Sequence, residues 1–218
     1  MKEIIIYGLG SIAELAKFYF DNDSDYKVVA FTVEKSYYDK AEFQGLPVVV
    51  FEELESIYPP SMCQLFIAIS YTNMNKLRES KYLEGKQRGY KFANYISSKA
   101  TVWTDKIGDN NFILEDNTLQ PFTIIGNNNM IWSGNHIGHH GSIGNNNFIS
   151  SHVVISGMVH IKNNCFLGVN STLRNNITIA DRTIIGAGAV ILKSIGENEV
   201  YATRQTELFP KTSDQVKL

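Results

Sequence analysis

The chain has 218 residues, 44% hydrophobic and 19% charged, with a formal net charge of −2 and a pI near 6.2. That is enough chain for two small domains with a real core. It carries too little positive charge for the basic surface that a nucleic acid or an anionic membrane demands, and no apolar run is long enough to span a bilayer.

In chain order, Met1–Tyr7 is too short, and acidic too soon at Glu3, for a signal peptide. Cys63 and Cys165 lie far apart with no CxxC pair, the pattern of buried thiols in a reducing compartment. A cytoplasmic protein is expected. Residues 1–98 predict alternating strands and helices. Strands are expected at Ile4–Tyr7, Lys27–Val33, Val48–Phe51, Leu65–Ser70 and Lys91–Tyr95, with helices over Ala13–Phe20 and Asn73–Lys86. Such alternation implies a parallel sheet with crossover helices, a small Rossmann-like domain. Gly8-Leu9-Gly10-Ser11 follows the first strand and opens a helix, where backbone amides can receive a phosphate. A plain strand-to-helix turn has the same composition. Tyr71, Thr72 and Asn73 sit at the carboxyl edge of the fourth strand, as lining residues of a ligand site or as turn residues.

Residues 99–218 follow a different rule. From Ile107 to Ile191 every sixth residue is Ile or Leu, without an insertion. Between them lie Gly126-Asn127-Asn128-Asn129, Gly144-Asn145-Asn146-Asn147, Asn163-Asn164 and Asn175-Asn176, residue types that tolerate left-handed backbone. Each hexad predicts one short strand and one corner, with the Ile or Leu pointing inward. Three hexads close a triangular coil, and stacked coils rise about 4.8 Å each. One coil cannot bury its branched residues alone, so stability comes from stacking.

All five histidines (His136, His139, His140, His152 and His160) fall within one short stretch of this region. His136 and His160 precede interior positions and are expected at corners, while His139 and His140 sit mid-hexad. Imidazole is the usual base for acyl transfer to an amine or hydroxyl near neutral pH. The same histidines are also compatible with lining an interface. Gly157 stands one full coil after His139, so stacking brings its N–H beside that side chain, as an oxyanion donor or as a tight corner.

With a Gly-rich first turn in a small Rossmann-like domain followed directly by these hexads, the sequence resembles the hexapeptide-repeat acyltransferases. Within them it is similar to the bacterial family of sialic-acid O-acetyltransferases and bacillosamine-pathway N-acetyltransferases. The resemblance implies a left-handed parallel β-helix and a homotrimer with active sites between subunits. It also implies acetyl-CoA as co-substrate, no metal, and acylation of an amino or hydroxyl group on a sugar, nucleotide-linked, for surface polysaccharide. In that family the His two residues after the hexad Ile is the base, which here is His139. The following residue in the bacillosamine enzymes is a carboxylate that bonds the base; here it is His140, so the group orienting His139 is unidentified. A second family histidine corresponds to Phe148, and His152 is a candidate replacement, or itself the base. The glycine matching Gly157 is the family's oxyanion donor.

Val169 and Ala187 match positions against the pantetheine arm, with Gly168, Gly186 and Gly188 keeping the groove open. Arg204 or Lys211 can meet the cofactor phosphates or simply lie in solvent. The family's acidic pair after the second strand, which holds a nucleotide base or ribose, is reduced to Glu34. Gly8, Gly10, Ser11, Glu34, Tyr71 and Asn73 are therefore the substrate-binding candidates.

Two other functions are open. A zinc enzyme resembling the γ-class carbonic anhydrases needs three converging histidines, yet one coil beyond His139 and His140 stand Gly157 and Met158. A non-catalytic trimeric scaffold needs no acetyl-CoA at all.

Overall fold

The computed structural model describes residues 2–216. The N-terminal part runs β1 (Lys2–Tyr7), α1 (Ser11–Asn22), β2 (Tyr26–Val33), β3 (Glu42–Phe43), β4 (Leu46–Val50), α2 (Leu54–Ile57), β5 (Gln64–Ile67), α3 (Lys76–Gln87) and β6 (Lys91–Phe92). The sheet order is β3-β4-β2-β1-β5-β6, parallel throughout except where β3 pairs antiparallel with β4. Ile4, Ile5 and Ile6 are fully buried, as an unbroken apolar run must be in a strand covered on both faces. The chain turns back across the sheet at β1, whose neighbours are β2 and β5. Ligand crevices of open parallel sheets form at such a point.

The second part is a triangular parallel β-helix of two-residue strands. Each of its three faces pairs residues one coil apart, for example Thr118↔His136, Ser142↔His160 and Phe148↔Phe166. The interior is the hexad ladder itself. It extends past both ends of the strict repeat, upstream to Val102 and Ile96 and downstream to Ile195 and Tyr201. The third residue after each interior Ile or Leu, from Asn110 to Gly188, has φ between 54° and 77°. Asn or Gly fills most of these positions, because a Cβ in this region costs about 1–2 kcal/mol. Phe122, His140 and Met158 are exceptions, and all three stack on one corner.

One face of the β-helix is apolar on its outside too. Phe112, Met130 and Phe148 are buried there against Phe20, Phe66 and Ala93 of the Rossmann-like domain. The polar helix α3 closes the junction. Arg78 is fully buried, and its guanidinium donates to the carbonyls of Ile69 (3.3 Å), Ser70 (2.8 Å), Asn128 (3.2 Å), Asn146 (3.0 Å) and Asn147 (3.0 Å). Burial pushes it down to about 9, so it stays charged at neutral pH. Glu79 accepts from Asn146 Nδ2 (3.0 Å) and Asn164 Nδ2 (2.9 Å).

At the other end of the junction, Asp23 accepts from Ser98 N (2.9 Å), Tyr95 Oη (2.8 Å) and Ser97 Oγ (3.2 Å). These bonds, Ser98 foremost, hold its carboxyl down at about 2, against an ordinary 3.8. A lowered carboxylate stabilises the fold above its ordinary value and stops doing so as pH falls through about 2. Asp23→Asn is therefore expected to lower the melting temperature at pH 7 by about 2–4 °C, roughly 1 kcal/mol after allowing for solvent screening. In melts taken down an acid series, the gap between variant and parent should close between pH 3.8 and about 2. The expected thiols are in place: Cys63 and Cys165 are buried and free, and burial pushes each up to about 11.

Candidate active site on the β-helix

His139 follows the strand His136–Ile137 and projects from a corner. Its ring lies over the next coil: a Cβ on Gly157 would stand 2.8 Å from both Cε1 and Nε2 of His139. Gly157 is thus a position where only hydrogen fits beneath the imidazole. The His139 N–H donates to Gln120 Oε1 (3.0 Å), and its carbonyl accepts from Met158 N (2.8 Å), so the backbone under the ring is fixed. The Gly157 carbonyl accepts from Asn176 N (3.0 Å). Among the described residues, nothing accepts the Gly157 N–H. A half-buried, unclaimed N–H beside an imidazole is the arrangement that acyl transfer uses, a base and an oxyanion donor on one side of a carbonyl.

The other predicted residues fall into separate places. His152 sits at a different corner, its ring over Gly134, where a Cβ would meet Cε1 and Nδ1 at 2.5 Å. It does not approach His139 within one chain. The partner of His139 is its neighbour, with Nδ1 to Nδ1 at 3.0 Å from His140. His136 and His160, expected at corners, are instead outward-facing strand residues, and His160 Nδ1 bonds Ser142 Oγ at 2.9 Å. Among the described residues, no three His, Cys, Asp or Glu side chains gather as a metal site. Phe148, at the position of the second family histidine, is packed between the domains against Tyr71 and Phe166.

Val169 and Ala187 lie exposed at the corner that also carries His152. Gly168 and Gly186 keep the coils close there: a Cβ on Gly168 would be 2.5 Å from Ala187 N, and one on Gly186 3.0 Å from Tyr201 O. The tail crosses this corner, Thr203 Oγ1 donating to Ala187 O (2.8 Å). Arg204 and Lys211 are exposed, and neither has a salt-bridge partner among the described residues.

A cleft of about 340 Å³ opens at the carboxyl ends of β1, β2 and β5, lined by Tyr7, Leu9, Gly10, Glu34, Lys40 and Ile69 among others. Gly8 has φ 123°, and a Cβ there would stand 3.0 Å from Ala68 O, so the turn requires glycine. Glu34 is on the wall, but its carboxylate is paired with Lys81. Of the substrate-binding candidates, Gly10 and Glu34 line this cleft, and Gly8, Ser11, Tyr71 and Asn73 do not. Tyr71 packs on Phe148 and Phe166 of the β-helix, and Asn73 borders a shallow hollow with Arg182 and Asn198. Leu9, Lys40 and Ile69 were not singled out in the sequence. Only their places just beyond strand ends, or on the long β2–β4 connection, pointed toward the crevice.

The family described as bacterial transferase hexapeptide (six repeats) matches residues 158–193. No curated protein matches the chain in sequence. Among solved structures, it is similar to a variant of perosamine N-acetyltransferase from Caulobacter crescentus in complex with CoA and GDP-perosamine. That match has a TM-score of 0.81 at 21% identity, over 93% of this chain and 94% of that one. It is also similar to the acetyltransferase domain of PglB from Neisseria gonorrhoeae (TM-score 0.81, 19% identity, 93% and 97% of the two chains). WeeI from Acinetobacter baumannii matches with a TM-score of 0.76 at 18% identity, over 92% and 96%. The small Rossmann-like sheet followed by a left-handed parallel β-helix is the fold shared with these proteins. Among the described residues, no helix is long and apolar enough to cross a membrane.

Proposed function

We propose that the chain is an acetyl-CoA-dependent acetyltransferase acting on an amino group of a nucleotide-linked sugar, for surface polysaccharide. The observation that carries this reading is the His139 ring standing over Gly157, with the Gly157 N–H unclaimed. His139 Nε2 takes the proton as the acceptor nitrogen attacks the thioester carbonyl. The new C–N bond forms, the C–S bond breaks, and the proton passes from Nε2 to the departing sulfur. The Gly157 N–H faces the oxygen that gains charge. A hydroxyl acceptor would use the same groups, but the perosamine enzyme is an N-acetyltransferase.

His139 and the Val169–Ala187 groove occupy different corners of the coil. A pantetheine arm along the groove of one copy therefore meets His139 of a neighbour, which makes a homotrimer with shared sites the natural assembly. The crevice at Gly10 takes the nucleoside diphosphate: the amides opening α1 favour phosphate, and Lys40 stands on its wall beside Asp39 and Glu34. Such an enzyme works in the cytoplasm, where acetyl-CoA and sugar nucleotides are made.

Calorimetry with CoA or acetyl-CoA tests the reading. Saturable heat, one site per chain, is expected, and its absence overturns the proposal. Gly157→Ala is expected to fold normally, since solvent is open to the displaced ring. It should cut kcat by about 100-fold, the scale of a misplacement near 1 Å, with circular dichroism confirming the fold and initial rates giving the loss.

A further inference from the structure

The corner that presents His139 carries a second imidazole in an unusual backbone state. His139 Nδ1 and His140 Nδ1 are 3.0 Å apart, with the rings edge-on at 85°. One nitrogen must donate and the other accept. A base needs a bare Nε2, the atom that lies over Gly157, and a neutral imidazole with a bare Nε2 carries its proton on Nδ1. We infer that His140 is the positioning residue of His139: a neutral imidazole that accepts the Nδ1–H and so fixes both the tautomer and the ring. This rests on the acyl-transfer reading above.

The surroundings support the assignment. Among the described residues, no carboxylate bonds His139, and no other side chain bonds its ring. His140 is itself held in place, its ring 4.6 Å from that of Phe122 and its N–H toward Pro121 O (3.4 Å). His140 has φ 56° and Phe122 φ 66°. Asn or Gly fills most of the matching positions, while this corner keeps Phe122, His140 and Met158 at a backbone cost of about 1 kcal/mol or more each. Strain kept in this way is expected where a side chain has work beyond packing.

The pair also determines how charge is handled. When Nε2 takes the acceptor's proton, His139 becomes a cation whose Nδ1–H bond to His140 strengthens. When Nε2 gives the proton to the departing sulfur, the pair returns to its starting state with nothing gained or lost.

Two variants separate positioning from corner-filling. His140→Asn places an acceptor near the same point and suits left-handed backbone; His140→Gly suits the backbone and has no acceptor. Both should fold. His140→Gly is expected to lower kcat roughly ten- to a hundredfold, as with other groups that orient an imidazole, with KM for acetyl-CoA unchanged. His140→Asn should keep most of the parental rate. Nitrogen-15 NMR of the full-length protein should find the His139 proton on Nδ1 in the parent and in His140→Asn, and shifted from Nδ1 in His140→Gly. Parental kcat and tautomer in His140→Gly, or a His140→Asn as slow as His140→Gly, would overturn the proposal. The NMR reads positioning independently of turnover. An Nδ1 proton lost only in His140→Gly, in a protein that acetylates no sugar, would uphold the pair and sink the acyl-transfer reading.

Discussion

His139→Ala is expected to lower kcat for acetyl transfer by about 10²–10⁴-fold, the usual contribution of a positioned base. Acetyl-CoA should still bind with the parental heat, because the groove at Val169 and Ala187 is at another corner of the coil. Stability should stay within about 0.5 kcal/mol. The ring is exposed, and the bonds that fix this corner, to Gln120 Oε1 and from Met158 N, use only the His139 backbone. Rate lost with binding and melting intact separates a base from a scaffold residue. A scaffold predicts no change in any of the three.

The largest stability effect should come from Arg78→Met. The guanidinium is the junction's central donor, reaching two carbonyls of the loop after β5 and three of the β-helix. Asn147 O keeps a second donor, Met130 N, but Asn128 O and Asn146 O lose their bond in a buried place, at about 1–3 kcal/mol each, and Ile69 O and Ser70 O lose theirs in a half-buried one. A loss of about 4 kcal/mol or more is expected, roughly 10–15 °C in melting temperature for a chain of this size. Arg78→Lys should recover only part of it, since an ammonium cannot spread over five acceptors as a planar fork does. Ile69 also lines the cleft at Gly10, so loosening the clamp should weaken any ligand bound there. A melting curve unchanged in Arg78→Met would show that the clamp carries no load.

The β-helix was legible because one interior residue in six repeats without interruption, and stacking leaves that position no freedom. Its ends were not. The step from Val102 to Ile107 is shorter than a full hexad, and Ile195 pairs with Ile179 across a shortened coil. A search for strict sixes stops at both places. The hexad pattern passes over the docking face, which has a different period: Phe112, Met130, Phe148 and Phe166 recur once per coil, just outside the interior ladder. The α3 helix is polar in sequence, yet its Arg78, Lys81 and Tyr82 are buried. Backbone carbonyls of the β-helix satisfy Arg78, and no side-chain pattern announces them.

At the site, the one-coil relation of His139 and Gly157 followed from the length of three hexads and is met. The orienting group was not legible, because a bond between adjacent side chains depends on the left-handed φ at His140, which periodicity does not report. Glu34 is a substrate-binding candidate in the sequence, but its carboxylate pairs with Lys81, a residue far away in the chain.

The most direct test mixes the purified protein with acetyl-CoA and a panel of nucleotide-linked amino sugars, and measures free thiol together with the mass of the sugar. The structure predicts thiol release that depends on one such sugar, matched one for one by acetylated product, and abolished in His139→Ala. Thiol release from no member of the panel, or release that persists in His139→Ala, would contradict it.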